Sequence, residues 1–225
     1  MTRIFAIGDI HGCALTLEKL LSDVLRIKKQ DKLYFLGDYI DRGPRSKEVV
    51  DFILQLQKEN YGVYTIRGNH EQLFIDSGTD FKHFDNWLAN GGLQTLESFG
   101  IIRFDELEDK YKSFFNNTEF YFDIPGYFFV HAGFNFENED MFEDKDAMLW
   151  IRDMKVDRKR TGDKLIIHGH TPTALARVKK NLSLADKTGS VNIDTGCVLK
   201  NVPGYGFLSA LEVSSMQLYS IENID

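Results

Sequence analysis

Gly37-Asp38-Tyr39-Ile40-Asp41-Arg42-Gly43 follows the apolar run Leu33-Tyr34-Phe35-Leu36, so it reads as the turn at the C-terminal end of a strand. Two carboxylates, an arginine and two glycines are an unusual set for an ordinary loop. Carboxylates within about 4–6 Å of each other raise one another's pKa. A divalent cation between them reverses that logic. The stretch therefore raises the question of whether the chain offers such a cation further ligands.

Two neighbouring runs end in the same way. Arg3 to Ile7 ends in Gly8-Asp9-Ile10-His11-Gly12, and Val63 to Ile66 ends in Arg67-Gly68-Asn69-His70-Glu71. Between them Leu15, Leu17, Leu20, Leu21, Val24 and Leu25 recur at helical spacing, predicting a helix from about Ala14 to Lys28. Val49, Val50, Phe52, Ile53, Leu54 and Leu56 predict a second, from an N-cap at Ser46 to about Lys58. The order β-α-β-α-β implies a parallel sheet covered on both faces. Ligands of such sheets sit outside the carboxyl ends of the strands, so the three polar loops are expected on one rim.

Residues 72–120 read as mainly helical, with a break at Gly91-Gly92 and a further helix from Asp105 to Phe115. The section at about 72–118 is expected to be a cap-like wall beside the rim of a single domain, 1–225. No Pro/Ser/Gly linker, repeat or low-complexity stretch suggests a boundary. From Glu119 the pattern turns to strands: Phe120-Tyr121-Phe122, Tyr127 to Val130, Leu165 to Ile167, Phe207 to Leu211, and Gln217 to Ile221 after a turn at 213–216. Two of these end in histidine, at Val130-His131-Ala132-Gly133 and Ile167-His168-Gly169-His170-Thr171.

The 225 residues can bury roughly 70% of the surface of the unfolded chain, so the core needs no disulfide or structural metal. A net charge of −7 argues against nucleic acid as the main ligand, because counterion release needs a basic footprint. Cys13 and Cys197 form neither a disulfide framework nor a zinc-finger pattern and are expected to be small packed residues. No signal-like segment precedes Ile4, and no apolar run approaches the ~20 residues of a membrane span. A reducing cytoplasm is the expected setting, with no membrane partner.

The strand-end loops collect Asp9, His11, Asp38, Asp41, Asn69, His70, His131, His168 and His170. Any one such histidine is most simply a satisfied structural residue. Five of the six histidines in this position, His83 being the exception, point instead to a metal centre. Mixed carboxylate, imidazole and amide oxygen suits Mn²⁺, Fe²⁺ or Zn²⁺. Two such ions sharing an aspartate, ~3.5–4 Å apart, can clamp a phosphoryl oxygen.

Gly8-Asp9-Ile10-His11-Gly12, Gly37 to Gly43 and Gly68-Asn69-His70-Glu71, followed by His131 and Gly169-His170-Thr171, resemble the signatures of the phosphoprotein phosphatase family of calcineurin-like metallophosphoesterases. Within it the chain resembles the short bacterial and phage serine/threonine protein phosphatases and the symmetrical diadenosine tetraphosphatases. Trp87…Gly91-Gly92…Thr95-Leu96 and Asn192-Ile193-Asp194-Thr195-Gly196-Cys197 look like segments of that group. The resemblance implies a four-layer α/β/β/α sandwich and two divalent ions, with Mn²⁺ the first choice and Fe²⁺, Zn²⁺ and Ni²⁺ the alternatives. It places one ion on Asp9, His11 and Asp38, and the second on Asp38, Asn69, His131 and His170. A hydroxide shared by the ions would attack phosphorus, His70 would protonate the leaving alkoxide, and Asp41 would hold its imidazole. Arg42 and Arg152 would bind the phosphate, for which a planar guanidinium fork is suited. His168 is expected behind the ligands and not among them.

The expected activity is phosphomonoester hydrolysis, with phosphoserine or phosphothreonine in a protein or peptide as substrate. Symmetrical hydrolysis of a dinucleoside tetraphosphate is the alternative, and no stretch of sequence marks a nucleotide pocket. Arg67 is expected to pair structurally, Glu71 to orient or cap, and Tyr39 to pack or line the rim. The acidic run 137–146 reads as a solvated loop or helix start, or alternatively as a selector for basic substrates.

Overall fold

The computed structural model describes residues 2–225. Two sheets face each other. The first contains β1 (Ile4–Ile7), β2 (Lys32–Phe35), β3 (Gly62–Thr65), and the later β8 (Phe207–Glu212) and β9 (Gln217–Glu222), in the order β3-β2-β1-β8-β9. The second is β4 (Tyr121–Ile124), β5 (Tyr127–Val130), β6 (Leu165–His168) and β7 (Ser190–Asn192), in that order. β1, β2 and β3 pair in parallel, as do β5, β6 and β7. The polar loops after β1, β2, β3, β5 and β6 therefore leave strands of common direction within each sheet.

The layering follows from alternation along each strand. Phe5, Ile7, Leu33 and Phe35 point outward into the cluster formed with the helices, while Ala6, Tyr34 and Leu36 point inward. Across the inter-sheet space they meet Phe129, Ile167 and Val191. Tyr34 stacks at 4.4 Å on Phe129 of the opposite sheet and at 4.5 Å on Tyr64 of its own. Phe128, Val130 and Ile166 face out under Phe134, Met141 and Met148.

Helices α1 (Ala14–Lys19) and α2 (Ser46–Lys58) cover the first sheet. α1 continues as a π-helical segment over Leu20–Leu25 and stops at Arg26, whose φ of 48° closes it short of the predicted Lys28. α3 (Asn69–Ser77), α4 (Phe81–Trp87), α5 (Leu93–Phe99) and α6 (Asp109–Asn116) follow. The single helix predicted over 105–115 is instead a 3₁₀ turn at Phe104–Glu106 and then α6. Leu73, Phe74, Trp87, Tyr111, Phe114 and Phe115 of this section join the same apolar cluster as β1 and β2. The short helices α7 (Lys145–Trp150), α8 (Arg158–Thr161) and α10 (Ala185–Thr188), and β7, carry too few residues to show a period, and they and α9 (Leu175–Leu182) escape sequence reading. Within 137–146, Asp144 caps α7 by accepting from Ala147 N (2.9 Å), and Asp140 accepts from Phe142 N (2.8 Å).

Asp31, only 1% exposed, joins three chain segments. It accepts from Arg3 Nε (3.2 Å), Arg3 Nη2 (2.5 Å) and Lys28 N (2.8 Å), while Arg3 also donates to Leu25 O and Arg26 O. Burial pushes this carboxyl up, but the bonds from Arg3 and Lys28 N outweigh it and leave the group below its ordinary value. A depressed folded-state pKa contributes stability above the unfolded value of about 4 and loses it as pH falls through the folded value. Asp31→Asn should therefore cost about 1.5–3 kcal/mol at neutral pH in urea unfolding, and should flatten the fall of stability on the acid side.

Candidate metal and active site

Asp38, Asn69, His131 and His170 come from the ends of four strands, β2, β3, β5 and β6, and meet at one place. His131 ties the sheets together there: its Nδ1 donates to Leu36 O (2.8 Å), and its own carbonyl accepts from Gly169 N (2.8 Å). With Nδ1 carrying the proton, His131 Nε2 presents a lone pair. That lone pair lies 2.9 Å from Asn69 Oδ1, 3.2 Å from His170 Nδ1 and 3.5 Å from Asp38 Oδ1. The other carboxylate oxygen of Asp38 lies 3.5 Å from His11 Nε2. His11 Nδ1 donates to Ile40 O (2.9 Å), so His11 Nε2 is likewise a lone pair. Each oxygen of Asp38 thus faces a different imidazole.

With Asn69 oriented oxygen-inward, acceptors outnumber the hydrogens that reach them: His70 N donates to Asp38 Oδ1 (3.1 Å) and Arg42 Nη1 to His11 Nε2 (2.8 Å). Protonating the imidazoles would relieve it, but burial opposes that. His11 and His131 are held below the ordinary histidine value by burial, and His170 is brought down to about 3 by burial and then by His131. Asp38 is pushed up by burial and pulled further down by those surrounding histidines that carry a proton. Asp9 is raised by burial and by Asp194. Asp9 Oδ1, His70 Nε2 and His170 Nε2 are buried without a partner. The backbone leaves room for this crowding: a Cβ on Gly169 would lie 2.0 Å from Asp9 Oδ1, and one on Gly68 would lie 2.1 Å from Asp38 Oδ1. Crowded, unprotonated N and O donors of this kind fit divalent cations.

Two groups of donors lie within 4.8 Å of one another: Asp38, His131 and His170, and His11, Asp38 and His70. The first agrees in spacing with the expected second ion. The second contains His70 where the sequence reading placed Asp9. Asp9 lies beside His170, accepting from its backbone N at 3.0 Å.

Asp41 faces donors. Its fully buried carboxylate accepts from His70 Nδ1 (2.7 Å) and Trp87 Nε1 (2.9 Å) on one oxygen, and from Thr95 Oγ1 (2.6 Å) on the other. The Asp41 N–H donates to Thr95 Oγ1 (2.9 Å) and Ser46 Oγ (3.1 Å), and the two hydroxyls lie 3.0 Å apart. Ser46 is thus the first residue of α2 and not its N-cap, which is Arg45; its hydroxyl is used by Asp41. Burial pulls the His70 imidazolium down, but Asp38 and the bond to Asp41 raise it more, so the net shift is upward.

Glu71 holds the first loop from behind, accepting from Asp38 N (2.8 Å), Tyr39 N (2.8 Å) and Gly68 N (2.9 Å). Tyr39 is packed, with its hydroxyl on Ile66 O (2.6 Å), and Arg67 is spent on Thr118, Gln72 and the last carbonyls of α6. Arg42 is exposed; its N–H donates to Gly91 O (3.0 Å) and its Nη1 to His11 Nε2 (2.8 Å). Arg152 is exposed and lines a cavity with His168, which belongs to neither donor group. Trp87, Thr95 and Ser46, the partners of Asp41, were not read as site residues from the sequence, and neither was Asp194, buried near Asp9. Trp87 and Thr95 lie 46 and 54 residues from Asp41, and no local pattern links them.

Residues 2–195 match the family model described as calcineurin-like phosphoesterase. An asymmetrical bis(5′-nucleosyl)-tetraphosphatase, PrpE, of Anoxybacillus flavithermus is 29% identical over 253 residues, covering 96% of this chain and 92% of the relative. Serine/threonine-protein phosphatase 1 of Salmonella typhimurium is 39% identical over 90 residues, covering 40% of this chain and 39% of the relative. The structure of a protein serine/threonine phosphatase from Saccharomyces cerevisiae, described as similar to human phosphatase PP5, matches in fold. Its TM-score is 0.67 at 15% identity, covering 100% of this chain and 81% of that one.

Thr95→Val keeps the side-chain shape but leaves a buried carboxylate oxygen and an N–H of Asp41 without that partner. It should lower stability by about 1–3 kcal/mol and lower kcat about tenfold, with KM little changed. Thr95→Ser, measured by the same urea titration and steady-state assay, should restore both.

Proposed function

That this chain belongs to the calcineurin-like phosphoesterase family is the premise from which we propose its substrate and the roles of its site residues. It is a metallophosphoesterase, and its donor groups suit divalent metal. The substrate we favour is a dinucleoside tetraphosphate. The supporting observation is extent: the relative matched along 96% of the chain is named as an asymmetrical hydrolase of that substrate, whereas the named protein phosphatase matches over 40%. That second match supports a phosphoserine or phosphothreonine protein as the other reading, served by the same centre.

In the proposed assignment Asp38 lies between two metal positions. His11 and Asp9 stand on one side, and Asn69, His131 and His170 on the other. Mn²⁺ is the first choice and cytoplasm the proposed setting. Bound divalent ions there would offset charge on the phosphoryl oxygens and acidify water. His70 would give its Nε2 proton to the leaving oxygen. The Nδ1 bond to Asp41 fixes the ring and stabilises the imidazolium, which keeps that proton available near neutral pH. Arg42 and Arg152 would hold the non-bridging oxygens.

Three measurements check the assignment. A panel comparing diadenosine tetraphosphate with serine phosphopeptides should show the higher kcat/KM for the dinucleotide; a hundredfold preference for phosphopeptide would reverse the choice of substrate. Activity should disappear with chelator and return with Mn²⁺. His70→Asn should lower kcat by about 10²–10⁴ while metal content by elemental analysis stays near wild type. Loss of metal in that variant would make His70 a ligand in the group it forms with His11 and Asp38.

A further inference from the structure

A cavity of about 470 Å³ opens beside the centre, within the size range of small-molecule sites. It shares walls with the centre through Ala132, next to His131, through Thr171, next to His170, and through Arg152. Its far wall is α9, which contributes Arg177 from its first turn and Asn181 from the next. Among the described residues the side chains of Arg152, Arg177 and Asn181 make no hydrogen bond or ion pair. Arg3, Arg67, Arg158 and Arg160, by contrast, are engaged with carboxylates, side-chain oxygens or carbonyls. Asp153 also lines the cavity, yet its carboxylate pairs with neither arginine. In a chain with 34 acidic residues and a net charge of −7, two unpaired guanidiniums on one cavity form a local positive site.

We propose that this cavity is an anion subsite for the part of the substrate beyond the scissile phosphorus, and that Arg177 is its discriminating side chain. Guanidinium forks suit phosphate oxygens, and Asn181 supplies a neutral donor beside them. A phosphoserine presents one phosphorus, which the centre, Arg42 and Arg152 take up. A polyphosphate chain presents more along the same line, and these extend past Arg152 into the cavity toward Arg177. The inference rests on the dinucleoside polyphosphate reading above. The subsite makes the contiguous phosphates, more than the base, the feature that selects the substrate.

The test compares wild type, Arg177→Ala and Arg177→Lys, with Mn²⁺ held in excess. Inhibition of p-nitrophenyl phosphate hydrolysis is measured with inorganic tripolyphosphate and with inorganic phosphate, and kcat/KM with diadenosine tetraphosphate and with a serine phosphopeptide. In Arg177→Ala, tripolyphosphate inhibition should weaken about 10- to 100-fold more than phosphate inhibition. The ratio of kcat/KM for the tetraphosphate to that for p-nitrophenyl phosphate should fall by a similar factor, and Arg177→Lys should recover part of both. Equal effects on both inhibitors would overturn the subsite, as would a loss confined to the phosphopeptide. A wild-type enzyme that cleaves phosphopeptide and not tetraphosphate would instead overturn the substrate reading, while the tripolyphosphate ratio still decides the subsite.

Discussion

Asp38 is a buried carboxylate with an imidazole nitrogen 3.5 Å from each oxygen and a single hydrogen bond, from His70 N, to offset them, and the rest of the site is arranged around that crowding. Acceptor facing acceptor is unfavourable in a low-dielectric interior, where an unpaired polar group has no water to turn to. The backbone holds the conflict in place from outside. Glu71 fixes the N–H groups of Asp38, Tyr39 and Gly68, and Leu36 O and Ile40 O fix the rings of His131 and His11. His11, Asp38, Asp41, Arg42 and His170 all have positive φ, five of the nine non-glycine residues that do so among those described. Conformational strain of this kind collects at functional sites because the surrounding fold over-determines it.

Three residues along the same loop, Asp41 has the opposite surroundings. Trp87, Thr95 and His70 all donate to it, and no acceptor crowds it. The two carboxylates of one heptapeptide are thus sorted by their neighbours: the one among acceptors calls for a cation, the one among donors holds a side chain. The helical section after β3 brings about this sorting, since α4 and α5 carry the two donors that reach Asp41 from across the rim.

This division also sets how far the sequence could be read. The ligand candidates and His70 sit directly after strands, so local pattern and parallel topology lead to the expectation of Asp9, His11, Asp38, Asn69, His70, His131 and His170 on one rim. α2, with thirteen residues, shows its period and was found; α8 and α10, with four each, show none. Ser46 looked like an N-cap because a serine before an apolar period usually is one, and only the tertiary fold reveals a nearby N–H competing for its hydroxyl. Trp87 and Thr95 were legible as apolar or family-like segments but not as partners of Asp41. The cavity between β6, β7 and α9 depends on five separated segments, and nothing local announces it.

Two ways exist to relieve crowded acceptors: protons or metal ions. Protons are the weaker remedy here. Each imidazolium would have to be charged away from water, and burial already holds His11, His131 and His170 below the ordinary range. Metal ions bring more charge per position and need lone pairs on the donors, which the Nδ1–H bonds to Leu36 O and Ile40 O supply on Nε2. The two sheets have to meet for this to work, because His11 and Asp38 come from one and His131 and His170 from the other. The centre therefore forms only once the inter-sheet layer around Tyr34, Phe129 and Ile167 has closed, which couples metal affinity to the packing of the core beneath it.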